Sequence, residues 1–333
     1  VTVHSKSIGI HLHMPMIAGG IGVPMEELRL VQNHAGGTFG YKFSPTNEAL
    51  IGAAVKITGR PVSLVFNQFQ NITYTGKRSP AFMHIKLGAD KDGKLLAMWG
   101  DNYVDHGPYS EFGDLLTMRL SQFTGAGYGI PSIRNKSQTV FTNHAWGSAF
   151  RAYGSPQSFM GSDIAIDCLA AKMGIDPFEM RAMNCYKASE HTTIHCEEEL
   201  FDKARPLYEA AKKRVAEKNA ASDGRYKYGI GVSLGVYACG LDGVDASSAF
   251  AELNPDGTVT MYASWEDHGQ GADMGIVASA HETLRQAGIK PEQIRLVMND
   301  TKVTPNSGPA GGSRSQVMTG NACRLAAENL LAA

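Results

Sequence analysis

The chain has 333 residues, of which 43% are apolar and 19% are charged, and its formal net charge is −1. This length can supply the core of two domains or of one large domain, and the near-neutral charge argues against a nucleic-acid or acidic-lipid partner. Glycine accounts for 37 of the 333 residues, about 11%, against a usual value of roughly 7%. Clustered glycines of this kind indicate turns in which the main chain approaches a large ligand closely.

The cysteines form no metal-binding spacing, and they are Cys168, Cys185, Cys196, Cys239 and Cys323. Their odd number in a large chain predicts buried, reduced thiols rather than a disulfide framework. His191, His195 and Cys196 resemble part of a zinc site, but no fourth ligand lies at a suitable spacing. We therefore predict no metal held directly by side chains.

Neither a membrane span nor a signal peptide is visible, because no apolar run approaches the roughly 20 residues that a spanning helix needs. The chain opens on the extended Val1–Val3 and closes on an apparently helical stretch, 326–333. Such ends lack the polar tails usual at true termini. We therefore expect a cytoplasmic protein of which this chain is a piece, truncated at both ends.

In the first half of the chain, hydrophobic periodicity and turn residues predict most elements. Helices are predicted over Ile8–Ile17, Asn47–Thr58, Glu111–Phe123, Gln157–Met173 and Pro177–Cys185. Strands are predicted over Leu28–Gln32, Ser63–Asn67 and Gln138–Asn143, with a hairpin over Phe82–Asp105. Asn47 is a possible helix cap, Gly19, Gly20 and Gly22 are expected to end the first helix, and Pro15 argues against the middle of that helix.

The polar segment 187–228 keeps a helical period through Leu200, Leu207 and Val215, which predicts a linker helix. Beyond it the second domain is expected to begin with Gly229–Tyr237. It continues with predicted strands over Ser248–Leu253, Thr258–Ser264 and Gln293–Met298, and with helices over Asp273–Ala287 and from Gln316 onwards. The pattern is that of an α+β protein with mixed sheets and packed helices. We predict a first domain at 1–190, a helical linker at 191–228 and a second domain at 229–333.

A strand, a glycine-rich turn and a helix recur three times, at Gly36–Gly40, His268–Asp273 and Gly308–Arg314. Such turns let main-chain amides and a helix N-terminus meet phosphate or a polar heterocycle. None of them fits the Rossmann fingerprint, and the P-loop motif is absent, so a dinucleotide dehydrogenase or a P-loop NTPase is not supported. A fourth turn, Phe150–Gln157, places Arg151 before a glycine and a proline at the start of a helix. Alone, that arginine could equally be incidental to a helix start on the surface.

Five long motifs, which run through nearly the whole chain, are GGTFGYKFSPTNEAL, DHGPYSEFGDLL, GSAFRAYGSPQ, WEDHGQGADMG and GPAGGSRSQVMTGNA. Together they resemble the molybdenum-binding portion of the xanthine oxidase family of molybdenum hydroxylases. Within that family they are most similar to the bacterial aldehyde oxidoreductases, which carry molybdopterin cytosine dinucleotide. The fold that this resemblance implies comprises two domains of the molybdopterin-binding region.

The resemblance also implies roles for individual residues. The turn at Phe39 and the side chain of Arg151 would lie beside the molybdenum and act in catalysis. Cofactor contacts are implied for Phe39, Gly40, Arg151, Gly154, Gln157, His268, Gly269, Gln270, Gly271, Ala310, Gly311, Gly312, Ser313 and Arg314. The substrate funnel would be lined by Phe43, Phe112, Leu115 and Tyr153, although plain core packing is the alternative for such side chains. Lys42 could touch a phosphate or be a surface charge.

Phe43 narrows the expected substrate, because purine-oxidising members carry a glutamate there that bonds the purine ring. A buried polar ring would lose its partner against phenylalanine. The resemblance therefore implies oxidation of aldehydes to carboxylic acids with water as the oxygen source.

Parts of the family's machinery are not found in these 333 residues, notably the glutamate base of a Gly-Val-Gly-Glu stretch and the cysteines of the iron–sulfur clusters. We therefore expect the chain alone to be inactive and to work with iron–sulfur domains or a separate iron–sulfur subunit, in a protein that forms a homo-oligomer when intact. The alternative is a non-catalytic module or subunit that retains the fold.

Overall fold

The computed structural model describes residues 1–109, 112–187, 196–241, 243 and 245–333. Its chain divides into two units that interleave along the sequence. The first unit comprises Val1–Lys77, Ser148–Arg151 and Ala238–Ala333, and the second comprises Arg78–Gly147 and Ala152–Tyr237. Both units mix helices with small sheets, so the prediction of an α+β fold with mixed sheets is confirmed.

The N-terminal part of the first unit is a parallel strand pair covered by helices. Strand β1 (Thr2–Ser5) pairs with β2 (Arg29–Gln32), and helix α1 (Ile10–Ile21) connects them. The buried side chains of α1 recur at helical spacing and are Ile10, His13, Ile17, Ala18 and Ile21. Helix α2 (Glu48–Thr58) packs beside α1, and α3 (Gln68–Tyr74) follows an irregular stretch.

The C-terminal part of the first unit is a three-stranded sheet with two helices. Strand β6 (Phe250–Leu253) pairs antiparallel with β7 (Val259–Ala263), which pairs parallel with β8 (Ile294–Met298). Helices α8 (Ala272–Leu284) and α9 (Ser315–Ala332) pack together and share one apolar core with these strands. Glycine turns lead into both helices, so this core fixes two of the three predicted ligand turns.

The second unit is built on a mixed sheet in which β3 (Ala81–Ala89) pairs antiparallel with β4 (Leu95–Asp105), and β4 pairs parallel with β5 (Ser132–Val140). Its helices are α4 (Gly113–Phe123), α5 (Ser155–Met173), α6 (Pro177–Ala182) and α7 (Glu197–Ala220). The core of this unit includes the buried side chains of Leu95, Tyr128, Ile166 and Phe178, and the Tyr128 hydroxyl donates to the buried Asp163 at 2.8 Å.

Several predicted boundaries move. Helix α1 passes through Pro15 and over Gly19 and Gly20. Of the three glycines expected to end it, Gly22 does so, because its positive φ of 73° lets its N–H cap the carbonyl of Ala18. Asn47 makes no side-chain cap to α2. The predicted strand over Gln138–Asn143 overlaps β5 only at 138–140. Helix α4 begins at Gly113, because Phe112 has a non-helical main chain, and the predicted start at Glu111 lies outside the described residues.

The predicted strand over Ser63–Asn67 was wrong. This stretch belongs to no strand and pairs with none of the described strands. A run of β-branched and apolar residues predicts an extended main chain, but pairing depends on a partner that composition does not specify. Helix α3, which no pattern predicted, starts at Asn67 through a capping box with Gln70.

The predicted linker segment contains α7, which packs on the second unit. Phe201 contacts Phe178 edge-on with 5.2 Å between ring centroids, and Tyr208 stacks on the same ring at 4.7 Å. The first turn of α7 contains three glutamates, Glu197–Glu199, whose negative charges stabilise the helix by interacting with the positive end of its dipole. The predicted three-part domain division stays a prediction.

The five cysteines are all free thiols, as predicted, but only Cys185 and Cys323 are buried, so the prediction of burial was wrong for the other three. His191 and His195 of the zinc alternative lie outside the described residues. Within the described ranges, no cluster of His, Cys, Asp and Glu side chains could hold a metal ion. Among the described helices, none combines the length and apolarity needed to cross a membrane.

Candidate functional site

The first glycine turn is locked against the stretch that ends in Arg151. Phe39 has a φ of 52° and its side chain is 59% exposed, and its carbonyl accepts the N–H of Arg151 at 2.6 Å. Gly40 has a φ of 108°, and a Cβ there would lie 2.9 Å from the main chain of Ala149 and Phe150. Only glycine allows this approach. The structure therefore brings Phe39, Gly40 and Arg151 together, as expected.

Lys42 stabilises the same turn from within. Its Nζ donates to the carbonyls of Ala35 and Gly36. Burial, followed by the nearby charge of Lys6, lowers the pKa of Lys42. The sequence suggested that Lys42 either contacts a phosphate or is a surface charge. In the structure it instead donates hydrogen bonds to two carbonyls of the glycine turn.

The second glycine turn, between β7 and α8, is organised by Asp267 and Gln270. The carboxylate of Asp267 accepts the N–H groups of Gly269 at 2.7 Å and Ala272 at 3.1 Å. Burial opposes ionisation, but these main-chain donors hold the pKa of Asp267 below its usual range. The side chain of Gln270 bonds the N–H of His268 and the carbonyl of Glu266. The turn is thus held in one conformation without any ligand.

The third turn, before α9, is built around Arg314, which is fully buried. Its guanidinium donates to Asp245 at 2.6 Å, to the carbonyls of Ser307 at 2.9 Å and Pro309 at 3.2 Å, and to that of Ala246 at 2.7 Å. Arg314 therefore stabilises the loop from inside. This burial argues against the direct cofactor contact expected of Arg314, which stays a prediction.

Gly312 and Ser313 give the exposed side of this third turn its shape. Their φ values are 70° and 55°, and the carbonyl of Gly312 accepts the N–H of Gly240 at 2.8 Å. Successive residues with positive φ turn neighbouring N–H groups toward the same side, which is an arrangement that binds anions. Gly312 tolerates no Cβ, because the Gly240 carbonyl would lie 3.0 Å away.

Glu266 joins two of the turns to helix α1, although no sequence argument singled it out. One carboxylate oxygen accepts the N–H of Ile10 and the other accepts the N–H of Ala310, both at 3.1 Å. Burial raises the pKa of Glu266 to about 8, although these amides and Arg314 oppose the shift. The sequence does place Glu266 directly before a predicted ligand turn, which could have marked it as a site residue. Its burial could not be predicted, because its partners Ile10 and Ala310 are distant along the chain.

In the second unit, the predicted residues gather at the starts of α4 and α5. The hydroxyl of Tyr153 donates to the carbonyl of Phe112, and Leu115 lies one turn further along α4. Gly154 has a φ of 86°, and a Cβ there would lie 2.9 Å from Arg119. Gln157 is buried and donates to the carbonyl of Ser79 at 3.0 Å, while its Oε1 has no partner in the described part of the chain.

The residues of the first unit fit a large, polar, anionic cofactor. Gly269 and Gly271 have positive φ and nothing within 4 Å of where a Cβ would be, so this side of the turn is open. His268 has a buried Nδ1 that makes no hydrogen bond to the described residues. The glycines leave room for a pterin with phosphate groups to approach the main chain, and the Nδ1 atom of His268 is available to hydrogen-bond it.

The fold and these turns define a class of protein. The family "Molybdopterin cofactor-binding domain" matches residues 1–185, and a second domain with the same description matches residues 203–333. The chain belongs to this family, the molybdenum-cofactor-binding domains of the xanthine oxidase family.

Particular relatives narrow the position within the family. The chain is 56% identical over 337 residues to the aldehyde oxidoreductase of Megalodesulfovibrio gigas, which covers 99% of this chain and 37% of that protein. The aldehyde oxidoreductase structure from Desulfovibrio desulfuricans matches with a TM-score of 0.95 and 58% identity, over 99% of this chain and 37% of that one. Quinoline 2-oxidoreductase from Pseudomonas putida shares the fold, with a TM-score of 0.86 and 22% identity over 99% of this chain and 44% of that one. The chain thus spans less than half the length of these relatives.

Proposed function

We propose that the chain forms part of the molybdenum-binding region of an enzyme that oxidises aldehydes to carboxylic acids with oxygen from water. The observation that carries the proposal is the 56% identity, along 99% of the chain, to a protein described as an aldehyde oxidoreductase. Phe43 supports the choice of substrate, because a phenylalanine cannot hydrogen-bond a purine ring.

The cofactor in this proposal is molybdopterin cytosine dinucleotide with molybdenum. The turns at 268–271 and 310–313 would lie against the pterin and its pyrophosphate, and Arg314 would keep the second of these turns in shape from its buried position. When bound, the molybdenum supplies the redox centre that accepts two electrons from the substrate. Iron–sulfur clusters on other domains or on a separate subunit would carry these electrons away.

Arg151 and the turn at Phe39 have an electrostatic and positioning role in this proposal. The 2.6 Å hydrogen bond between the Arg151 amide and the Phe39 carbonyl fixes both residues on one rigid support. A fixed cation beside the reacting centre stabilises negative charge that develops during reaction, without any reorganisation.

The apolar side chains that would line the approach of substrate are Phe43, Phe112, Leu115 and Tyr153. The hydroxyl of Tyr153 is engaged by the Phe112 carbonyl, so it is the aromatic ring of Tyr153 that would face the substrate. Walls of this kind favour uncharged aldehydes with apolar or aromatic groups. The proton acceptor, a glutamate in the family, would come from residues outside these 333.

Substitution of Arg151 tests the proposal in the intact protein. Arg151→Ala should lower kcat for an aldehyde about 10²–10³-fold, the usual effect of removing one group that stabilises charge in the transition state. Its molybdenum content and its unfolding midpoint should stay close to those of the wild type. Arg60→Ala, which removes another exposed arginine, should change none of the three quantities.

Two results would reject the proposed role. Unchanged aldehyde turnover in a fully loaded Arg151→Ala protein would remove Arg151 from the reacting centre. Absence of aldehyde oxidation and of molybdenum in the wild type, after growth with ample molybdate, would favour a non-catalytic module instead.

A further inference from the structure

Phe43 lies in a slot that has glycines on two sides and a histidine on a third. Its Cε2 is 3.4 Å from where a Cβ of Gly311 would be and 3.6 Å from the corresponding position at Gly9. Its ring centroid is 5.6 Å from that of His13, and the two rings meet edge-on at 68°. His13 therefore supplies an aromatic side chain in edge contact with the Phe43 ring.

His13 itself is completely buried and is held by a chain of hydrogen bonds. Its Nδ1 is 2.7 Å from the hydroxyl of Ser7, which also accepts the N–H of Gly9 at 3.0 Å. The N–H of Ser7 is bonded to the Ser5 hydroxyl at 2.9 Å, and that hydroxyl donates to the buried Glu48 at 2.8 Å. These hydrogen bonds hold the imidazole at its Nδ1 atom, so the His13 ring cannot rotate away from Phe43 without breaking the bond to Ser7.

Burial determines the charge of the imidazole, whichever of its nitrogens carries the proton. The Ser7 hydroxyl can either donate to Nδ1 of His13 or accept from it, because a hydroxyl has one proton and two lone pairs. Burial lowers the pKa of His13 to about 4, with the charge of Glu48 opposing the shift and that of Lys6 reinforcing it. His13 is thus a neutral aromatic group, rather than a charge, at physiological pH.

We propose that His13 is a positioning residue that fixes the ring of Phe43 and thereby sets how bulky an aldehyde the substrate funnel accepts. This inference rests on the proposed function, which makes Phe43 part of the funnel wall. It adds a residue that is too deeply buried to touch substrate and that acts only through Phe43.

The test compares His13→Leu with His11→Leu in the intact, molybdenum-loaded protein. His11 lies on the same helix and its Nε2 bonds the Ser264 hydroxyl at 3.0 Å, so both variants lose one histidine hydrogen bond. His13→Leu should raise KM for benzaldehyde about two- to tenfold, the worth of one aromatic pair. Its kcat, its molybdenum content and its KM for acetaldehyde should stay unchanged, and His11→Leu should leave both KM values as in the wild type.

Two kinetic results would overturn the inference. One is an unchanged ratio of the two KM values in His13→Leu. The other is an equal fall in turnover of both aldehydes together with loss of molybdenum, because that pattern indicates a structural role of His13 in the cofactor turns. If His13→Leu does not fold, His13→Gln, which can still hydrogen-bond the Ser7 hydroxyl, is measured in its place.

A crystal structure of the variant separates this inference from the proposed function. If the wild type oxidises neither aldehyde, the proposed function fails, and the position of Phe43 still decides the role of His13. A displaced or multiply oriented Phe43 ring in the variant supports the inference, and an unmoved ring contradicts it.

Discussion

Two arginines of the candidate site show that the same residue type can serve a ligand turn from opposite sides. Arg151 is exposed and attached to Phe39 through its main chain, whereas the guanidinium of Arg314 is buried among three carbonyls and Asp245. A motif predicts that an arginine belongs to a site, but only burial and partners tell whether it meets the ligand or supports the loop.

Arg314→Met should destabilise the first unit by about 3–5 kcal/mol, because it leaves the carboxylate of Asp245 and three carbonyls without their donor in a buried position. The free energy of unfolding in urea measures this loss. Arg324→Met is the control on the same helix, since its pair with Glu328 is exposed on both sides and such pairs contribute about 0–1 kcal/mol. Equal losses in the two variants would contradict the support role of Arg314.

Glu266 predicts a dependence of stability on pH. Its pKa is about 8 in the folded chain and about 4.3 in an unfolded one, so the folded state binds more protons between these values. Stability should therefore fall as pH rises from about 4.3 to about 8. Glu266→Gln should remove that part of the slope in urea unfolding between pH 5 and pH 8, whereas Glu282→Gln, at an exposed position of α8, should keep it. An unchanged slope in Glu266→Gln would show that Glu266 is ionised throughout.

At the scale of elements, glycines decide which faces of the helices can pack. Gly275 in α8 faces Trp265, and a Cβ there would lie 2.6 Å from the indole ring, whereas Gly19 in α1 has nothing within 4 Å. Both have helical main chain, so their neighbours alone distinguish them.

Gly275→Ala should therefore destabilise the chain by about 1–3 kcal/mol through overpacking, in spite of the higher helix propensity of alanine. Gly19→Ala should stabilise it by about 0.5–1 kcal/mol, which is the propensity gain alone. Thermal or urea unfolding of the two variants measures whether each substitution raises or lowers the free energy of unfolding. Stabilisation by Gly275→Ala would mean that Trp265 moves aside at little cost.

The elements also show what sequence patterns can and cannot predict. The helices with a regular apolar period, such as α5 and α9, were found to within a few residues, because burial of one face determines both the pattern and the helix. The predicted strand over Ser63–Asn67 was wrong, since pairing depends on a distant partner. Within the site, glycine turns could be located from sequence, but Glu266 and His13 could not, because their roles arise from hydrogen bonds to residues far away along the chain.

At the scale of the whole molecule, two matched domains and the glycine turns support one account, in which the chain forms part of a binding site for a molybdenum cofactor. The chain covers 37% of the aldehyde oxidoreductase to which it is 56% identical. The activity, the iron–sulfur partners and the homo-oligomer therefore belong to the intact protein and remain proposals.

The cofactor content of the intact protein tests this account most directly. Protein purified after growth with ample molybdate should contain stoichiometric molybdenum, and acid treatment should release cytidine monophosphate from the bound dinucleotide. Molybdenum with a different nucleotide, or with none, would correct only the form of the cofactor. A folded, intact protein that contains neither molybdenum nor pterin would contradict the central claim that these glycine turns hold a molybdopterin.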